Sequence, residues 1–303
     1  MNIFNKLFKR TKTEPSRHAR ASTGTARQEI IDIDPGMARH ILVGQAQSIG
    51  LERKHNEDVL FVLTGNSSGE ERLSDFGLFT VADGMGGHRS GEIASAIAAR
   101  TVAKHLTQET LLNLFEIEPS QGNLPPLLDV MRNAILDANQ QVVRTLPGGG
   151  TTITSVLLIG DQMTIGHVGD TRAYVITDSQ AKVITRDHTF VERLLELGEV
   201  TQEEASIHPQ RHVLYRAIGQ GDALKADVFS YPTPHGGKLL LCSDGLWGVI
   251  SDDDILDIVK HASNPQEACD RLVHAAILGG GPDNISTVLV QFPPKTARVS
   301  KKK

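Results

Sequence analysis

The chain predicts an α+β fold in which two β-sheets pack together and helices lie outside them. Three observations carry that expectation. From His40 onward, short runs rich in Val, Ile and Leu are bounded by Gly, Asp and Asn, at 41–43, 59–63, 77–81, 153–159, 164–168, 173–176, 238–242 and 285–291. Runs of this length and composition read as strands. Several follow one another through turns, as where Asp161 and Gln162 join two of them. Such short links favour antiparallel pairing, because a parallel pair needs a long crossover. Longer helical stretches intervene between clusters of strands, which favours layers over a strict βαβ alternation.

The helices have recognisable starts. Ser90 precedes an Ala-rich stretch to Leu106, and Pro125 and Pro126 open one running to about Leu146. Thr201 with Glu204, and Ser251 with Asp254, have the spacing of a capping box, in which side chains satisfy the first free N–H groups of a helix. Residues 264–278 form a last amphipathic helix. At 303 residues the chain can bury one large core without disulfides or structural metals. No internal repeat is visible.

Composition narrows the function. The two cysteines, Cys242 and Cys269, show neither a CxxC pair nor zinc-site spacing, so both read as buried apolar residues of a reducing compartment, the cytoplasm by default. No run of about 18 apolar residues could span a membrane, and the amino terminus lacks the apolar segment of a signal peptide. The net charge of −5 hides +5 in residues 1–30 and +5 in residues 293–303, leaving about −15 for the middle. An acidic centre argues against nucleic acid and suits a protein that collects cations. The polar, basic leader over 1–38 carries Ile3, Phe4, Leu7 and Phe8 at helical spacing. It reads as a frayed tail or as a short amphipathic anchor for a partner or a membrane surface.

Aspartates stand at strand ends. Residues 77–82 run into Asp83-Gly84, residues 239–243 run into Asp244-Gly245, and Asp283-Asn284 precedes the run at 285–290. One Asp-Gly is an ordinary turn. Three carboxylates at one rim would repel unless cations sat between them, and hard divalent ions take oxygen ligands. Arg53 with Glu57 and Asp58, just before another strand, joins a guanidinium that can fork onto phosphate to acids that can orient water; its plain reading is a solvated loop. Gly169-Asp170-Thr171-Arg172 ends a further strand and also reads as a tight turn with a surface ion pair.

The ordered set Arg53…Asn56-Glu57-Asp58, Ala82-Asp83-Gly84-Met85-Gly86-Gly87, Gly150-Thr151-Thr152, Gly169-Asp170-Thr171-Arg172, Cys242-Ser243-Asp244-Gly245-Leu246-Trp247 and Asp283-Asn284 resembles the bacterial form of the metal-dependent, type 2C protein phosphatases. The resemblance covers about residues 40–292. It implies a four-layer αββα sandwich of two antiparallel sheets flanked by helices. It also implies a serine/threonine protein phosphatase using two Mn²⁺ or Mg²⁺ ions, with a possible third, and acting with a metal-activated water and no phosphoenzyme. On residues, it implies that Asp83 bridges both metals, with the Gly84 carbonyl on one and Asp244 and Asp283 on the other. Glu57 and Asp58 would hold waters, Arg53 would grip the substrate phosphate, and Asp170 with Asp244 would offer the third, weaker site. The domain would span 39–292, with a flap at about 188–218 and a basic tail at 293–303. Partners would be phosphorylated proteins, including a Ser/Thr kinase whose action the enzyme opposes, and the chain would act as a monomer. Where many eukaryotic members carry a proton-donating His, this chain has Met85, so the donor stays open between a bound water and His88.

Competing readings fall on specific residues. Gly65-Asn66-Ser67-Ser68-Gly69 matches a serine-hydrolase elbow, but Glu70, Glu71 and Arg72 follow and no apolar helix begins there. Gly84-Met85-Gly86 starts a dinucleotide fingerprint, but Arg89 takes the third glycine position. Asp252–Asp254 fit the first turn of a helix, where the dipole favours negative charge. His208 and His212 have i, i+4 spacing, but Pro209 disfavours an unbroken helix, so both are expected to be structural. An inactive phosphoprotein-binding relative would show eroded carboxylates, and none of Asp83, Asp244 or Asp283 is missing.

Overall fold

Strands and helices follow in the order β1 Leu42–Ser48, β2 Val59–Gly65, β3 Phe76–Ala82, β4 Gly84–Met85, α1 Arg89–Leu106, α2 Leu127–Thr145, β5 Gly150–Thr151, β6 Ile153–Ile159, β7 Gln162–Val168, β8 Arg172–Ile176, β9 Ala181–Val183, α3 Phe190–Leu197, α4 Gln202–Ser206, β10 Asp227–Pro232, β11 Lys238–Cys242, α5 Asp244–Trp247, α6 Asp252–His261, α7 Pro265–Leu278 and β12 Ile285–Gln291. This computed structural model describes residues 40–66, 74–86, 89–115 and 125–294. The amphipathic segment at 3–8, the rest of the leader to residue 38, the tail from residue 295, most of the 65–69 loop with Arg72, and His88 lie outside the described residues.

Two five-stranded sheets, ordered β1-β12-β11-β8-β9 and β10-β7-β6-β3-β2, are antiparallel throughout. They pack face to face over Phe79, Val81, Val156, Leu158 and Ile165 from one sheet and Ala173, Leu239, Leu241, Val288 and Val290 from the other. The outer face of the second sheet buries Leu78, Ile153 and Leu157 against α1 and α2. The outer face of the first buries Leu240, Ile285 and Leu289 against α6 and α7. The result is the four-layer αββα sandwich. Because helices cover both outer faces, central strands are buried on both sides. All seven residues of β3 are buried, so its sequence shows no polar alternation, and its one hydroxyl, Thr80, meets Ser155 Oγ at 2.7 Å.

The caps of α4, α6 and α7 form, whereas Ser90 lies inside α1, which begins at Arg89. The Thr201 hydroxyl accepts from the Glu204 N–H while the Glu204 carboxylate accepts from the Thr201 N–H, closing the box at α4. Ser251 caps α6, whose first turn holds Asp252–Asp254, and Asn264 caps α7 with Pro265 in its first turn.

The differences from the sequence reading are local. Ile159 pairs with Gln162, so Gly160 and Asp161 make the β6–β7 turn, one residue earlier than expected, with Gly160 supplying a positive φ of 58°. β4, β5 and β9 are too short to leave a periodic signal. β10 is a half-buried edge strand, a position that also explains why it tolerates Pro232. Among the described residues no helix is long and apolar enough to cross a membrane.

Candidate active site

Antiparallel register brings the acidic strand ends to one rim. In one sheet Val59 pairs with Ala82 and Ile153 with Val168, so Asp58, Asp83 and the 169–170 turn leave the same edge. In the other, Cys242 pairs with both Arg172 and Thr287, which places Asp244 and the start of β12 alongside. A cleft of about 590 Å³ opens there, lined by Arg53, Glu57, Asp83, Gly84, Asp170, Asp244 and Asp283 among others. Of the site residues named from sequence, all but Asp58 line it.

Each carboxylate has its backbone fastened. Asp83 is held by the pair that follows β5's glycine: its N–H donates to Thr152 Oγ1 at 3.0 Å, and its carbonyl accepts from the Thr152 N–H and Thr151 Oγ1, both at 2.8 Å. That is the physical role of Gly150-Thr151-Thr152. Gly84 pairs with Thr151, and a Cβ on Gly84 would lie 2.2 Å from the Gly91 carbonyl oxygen, so only glycine lets α1 approach. The side chain of Asn284 accepts from the Glu57 N–H at 2.8 Å and donates to the carbonyls of Ile49 and His55, both at 2.9 Å. It thereby fastens the Arg53–Glu57 loop to the start of β12. The sequence reading placed Asn284 in the Asp283-Asn284 motif but gave it no role, because its partners Ile49, His55 and Glu57 are distant in sequence.

Asp170 is tied differently from expectation. The indole N–H of Trp247 donates to its carbonyl at 3.0 Å. Arg172 pairs with Asp187 rather than with Asp170, at 2.8 and 3.1 Å, and its guanidinium lies 3.6 Å from the centre of the Trp247 ring. The pair is thus part of the site's support and not a surface contact. Next to Asp187, His188 accepts the Gly169 N–H on Nδ1 at 2.9 Å. Burial, the neighbouring His167 and Arg216 push its imidazole down to about 4, in keeping with a neutral acceptor.

Asp58 lies just below the cleft floor. Its Oδ2 accepts from Ser286 Oγ at 2.6 Å and Ser243 Oγ at 2.8 Å, while its Oδ1 is buried without a protein donor. Asp244 Oδ1 is a second buried oxygen without one. Burial pushes Asp58 up to about 7 despite both serines, and the charges of Asp244 and Asp283 add to the rise. Asp83 is raised well above the usual carboxylate range, first by burial and then by Asp58, Asp244, Asp170 and Asp283. Asp170 is raised in the same way by burial, Asp244 and Asp187. Carboxylates that raise one another, with buried acceptor oxygens left over, fit hard divalent cations. Among the described residues no three Asp, Glu, His or Cys side chains close into a ready-made cage. The donors instead line an open cleft, with Asp283 accepting from Arg53 at 2.6 Å.

The segment after α4 contributes Arg211, His212, Leu214 and Gln220 to the lining. His212, expected to be structural, lines the cleft, with its Nδ1 3.7 Å from Asp244 Oδ2. Sequence spacing hid it because the contact is made across the fold. Met85 lines the cleft as expected, and among the described lining residues His212 is the one imidazole.

A rim of carboxylates able to hold cations beside a guanidinium able to hold a phosphate suits hydrolysis of a phosphoric ester. Comparison with known proteins agrees. The model of the family described as Protein phosphatase 2C matches residues 44–226 and 230–285. The serine/threonine phosphatase stp of Listeria welshimeri is 34% identical over 249 residues, covering 80% of this chain and 92% of the relative. The serine/threonine protein phosphatase PstP of Mycobacterium tuberculosis is 35% identical over 242 residues, covering 79% of this chain and 43% of PstP. The crystal structure of the Mycobacterium tuberculosis phosphatase PstP/Ppp superimposes with a TM-score of 0.68 at 31% identity, covering 84% of this chain and 99% of that one. A structure of the PstP catalytic domain in complex with two manganese ions gives 0.66 at 30% identity, covering 83% and 97%. The chain belongs to the protein phosphatase 2C family and is a phosphoprotein phosphatase.

Asp58 gives a testable consequence. Its folded value of about 7 lies above the ordinary 3.8, so the native state holds an extra proton between those limits. Stability from this group is therefore full below the lower limit and lost as pH rises through the upper one. In excess chelator, Asp58→Asn is expected to gain urea resistance relative to the parent on going from about pH 4 to about pH 8. A difference in midpoint that stays constant with pH would contradict the assignment.

Proposed function

We propose that the cleft hydrolyses phosphoserine and phosphothreonine esters on proteins, using Mn²⁺ or Mg²⁺, two ions with a possible third. The observation that carries this reading is the pair of buried, unpartnered oxygens on Asp58 and Asp244 within a rim of mutually repelling carboxylates, next to Arg53. Asp83, Asp244 and Asp283, with the Gly84 carbonyl, would hold the two ions, and Asp170 with Asp244 would serve a third. Bound divalent ions supply an acidified water as nucleophile near neutral pH and positive charge opposite the phosphate.

The chain's own residues do the rest. Arg53 is half exposed at the cleft mouth, and its bond to Asp283 and nearby acids keep it firmly charged. A phosphate dianion competes for that guanidinium, which forks onto two of its oxygens. Asp283, freed of that partner, would be available to hold a cation. Glu57 and Asp58 orient water, Asp58 with its direction fixed by Ser243 and Ser286. Walls built from two sheets hold these groups still, so little reorganisation accompanies the reaction.

Residues 39–292 form the phosphatase domain in this reading, with 188–218 as its flap. The site is built within one chain, which supports action as a monomer, and two free buried cysteines are in keeping with the cytoplasm. Bacterial relatives named as serine/threonine phosphatases support a role opposing serine/threonine kinases.

Purified protein is expected to release phosphate from phosphothreonine peptides only with added manganese, with loss in excess chelator and in Asp244→Asn. Failure to turn over both such peptides and an aryl phosphate at saturating manganese would refute the reading. Arg53→Ala is expected to lose about 2–3 kcal/mol of transition-state binding, seen mainly in KM, while manganese binding by calorimetry is retained. Loss of metal binding in that variant would remove Arg53 from the phosphate and make it a support of Asp283.

A further inference from the structure

Beside the cleft lies a smaller groove of about 230 Å³, lined by Met85, Gly86, Gly148–Gly150, Gly219 and Gln220. Met85, Gly86 and Gln220 line the cleft as well, so the two are continuous. One wall is the β4–β5 ribbon, in which Met85 pairs with Gly150. The other follows the bridge between Thr151 and Ile218, closed by reciprocal backbone hydrogen bonds at 3.0 and 2.9 Å. The buried Asn139 of α2 pins this second wall: its Oδ1 accepts from the Gly219 N–H at 2.8 Å, and its Nδ2 donates to the Gly221 carbonyl at 2.7 Å. The groove is therefore a fixed feature of the fold.

Its glycines divide by cause. At Gly149 a Cβ would lie 2.5 Å from Leu146, and at Gly219 one would lie 2.3 Å from the Gly149 carbonyl oxygen, so packing excludes side chains there. Gly148 has φ +85°, which a turn alone explains, yet a Cβ on it would meet nothing within 4 Å. Open space thus remains over a floor of glycine backbone flanked by Met85, two residues beyond Asp83, and by Gln220. The lining carries no charged residue, in contrast to the cleft. The lining offers neutral groups alone, glycine backbone and the Gln220 amide, against which an extended polypeptide with small neutral side chains can lie.

We propose that this groove is the subsite for the polypeptide flanking the phosphorylated residue, and that it selects small, uncharged side chains there. The inference rests on the phosphatase reading and extends it from the phosphate to the substrate chain.

Two variants and two kinds of substrate test it, in full-length protein with saturating manganese. Gly148→Asn keeps a residue type that tolerates positive φ and places its side chain in the open space. It is expected to raise KM for a phosphothreonine peptide with alanine neighbours about tenfold while leaving an aryl phosphate within about twofold. Equal effects on both substrates, or none on the peptide, would overturn the subsite. Gln220→Glu is then compared on peptides whose neighbours of phosphothreonine are all Lys or all Glu. It is expected to favour the Lys peptide over the Glu peptide by at least about threefold relative to the parent; an unchanged ratio would overturn the placement. Parent protein inactive on every substrate would remove the phosphatase reading itself, whereas an active parent with indifferent variants would remove the groove alone.

Discussion

Mutual repulsion among buried carboxylates is the constraint on which the rest of the structure depends. Asp58, Asp83, Asp170, Asp244 and Asp283 meet at one end of a sandwich, where desolvation disfavours the charge of Asp58, Asp83 and Asp170 and neighbouring carboxylates raise these three further. Like charges a few ångströms apart cost on the order of a few kcal/mol at a protein surface, and more with burial. A loop would spread under that pressure. Strand ends cannot, because the inter-sheet core of Phe79, Val156, Leu241 and Val288 fixes them from behind.

Second to the core, a set of neutral polar groups resists the same repulsion. Thr151 and Thr152 clamp the backbone of Asp83, Ser243 and Ser286 share one oxygen of Asp58, Trp247 holds the carbonyl of Asp170, and Asn284 fastens the Arg53 loop. These donors leave oxygens on Asp58 and Asp244 unserved. In a site of otherwise satisfied groups, such remainders point to what the cleft is shaped to bind. The groove beside it follows the same logic, since Asn139 spends a buried amide on the shape of a backbone wall.

Much of this was legible in the sequence because the strands are short, apolar and ended by Asp. Seven of the eight expected runs fall inside strands, and the eighth overlaps the start of β1. Asp83, Asp244 and Asp283 stood out through their position against those runs. What stayed hidden was contact across the fold. Nothing local to His212 announces Asp244, and nothing local to Asn284 announces Ile49 and His55. Arg172 read as a partner for its neighbour Asp170, yet it reaches Asp187 and Trp247, which only the β8 register brings near. α3 was missed because its eight residues sit in a segment with no strand context, although Thr189 caps it in the ordinary way.

If repulsion relieved by cations is the organising fact, the folded state must gain stability from them. The most direct measurement is thermal unfolding of the full chain against manganese concentration, for the parent and for Asp83→Asn. The parent's Tm should climb steadily with the logarithm of manganese concentration above the dissociation constant, as linkage requires of a ligand bound only by the folded state. In Asp83→Asn, with one central charge removed, the metal-free Tm should be higher and the climb weaker. A parent Tm indifferent to manganese, or a metal-free variant less stable than the metal-free parent, would contradict the account.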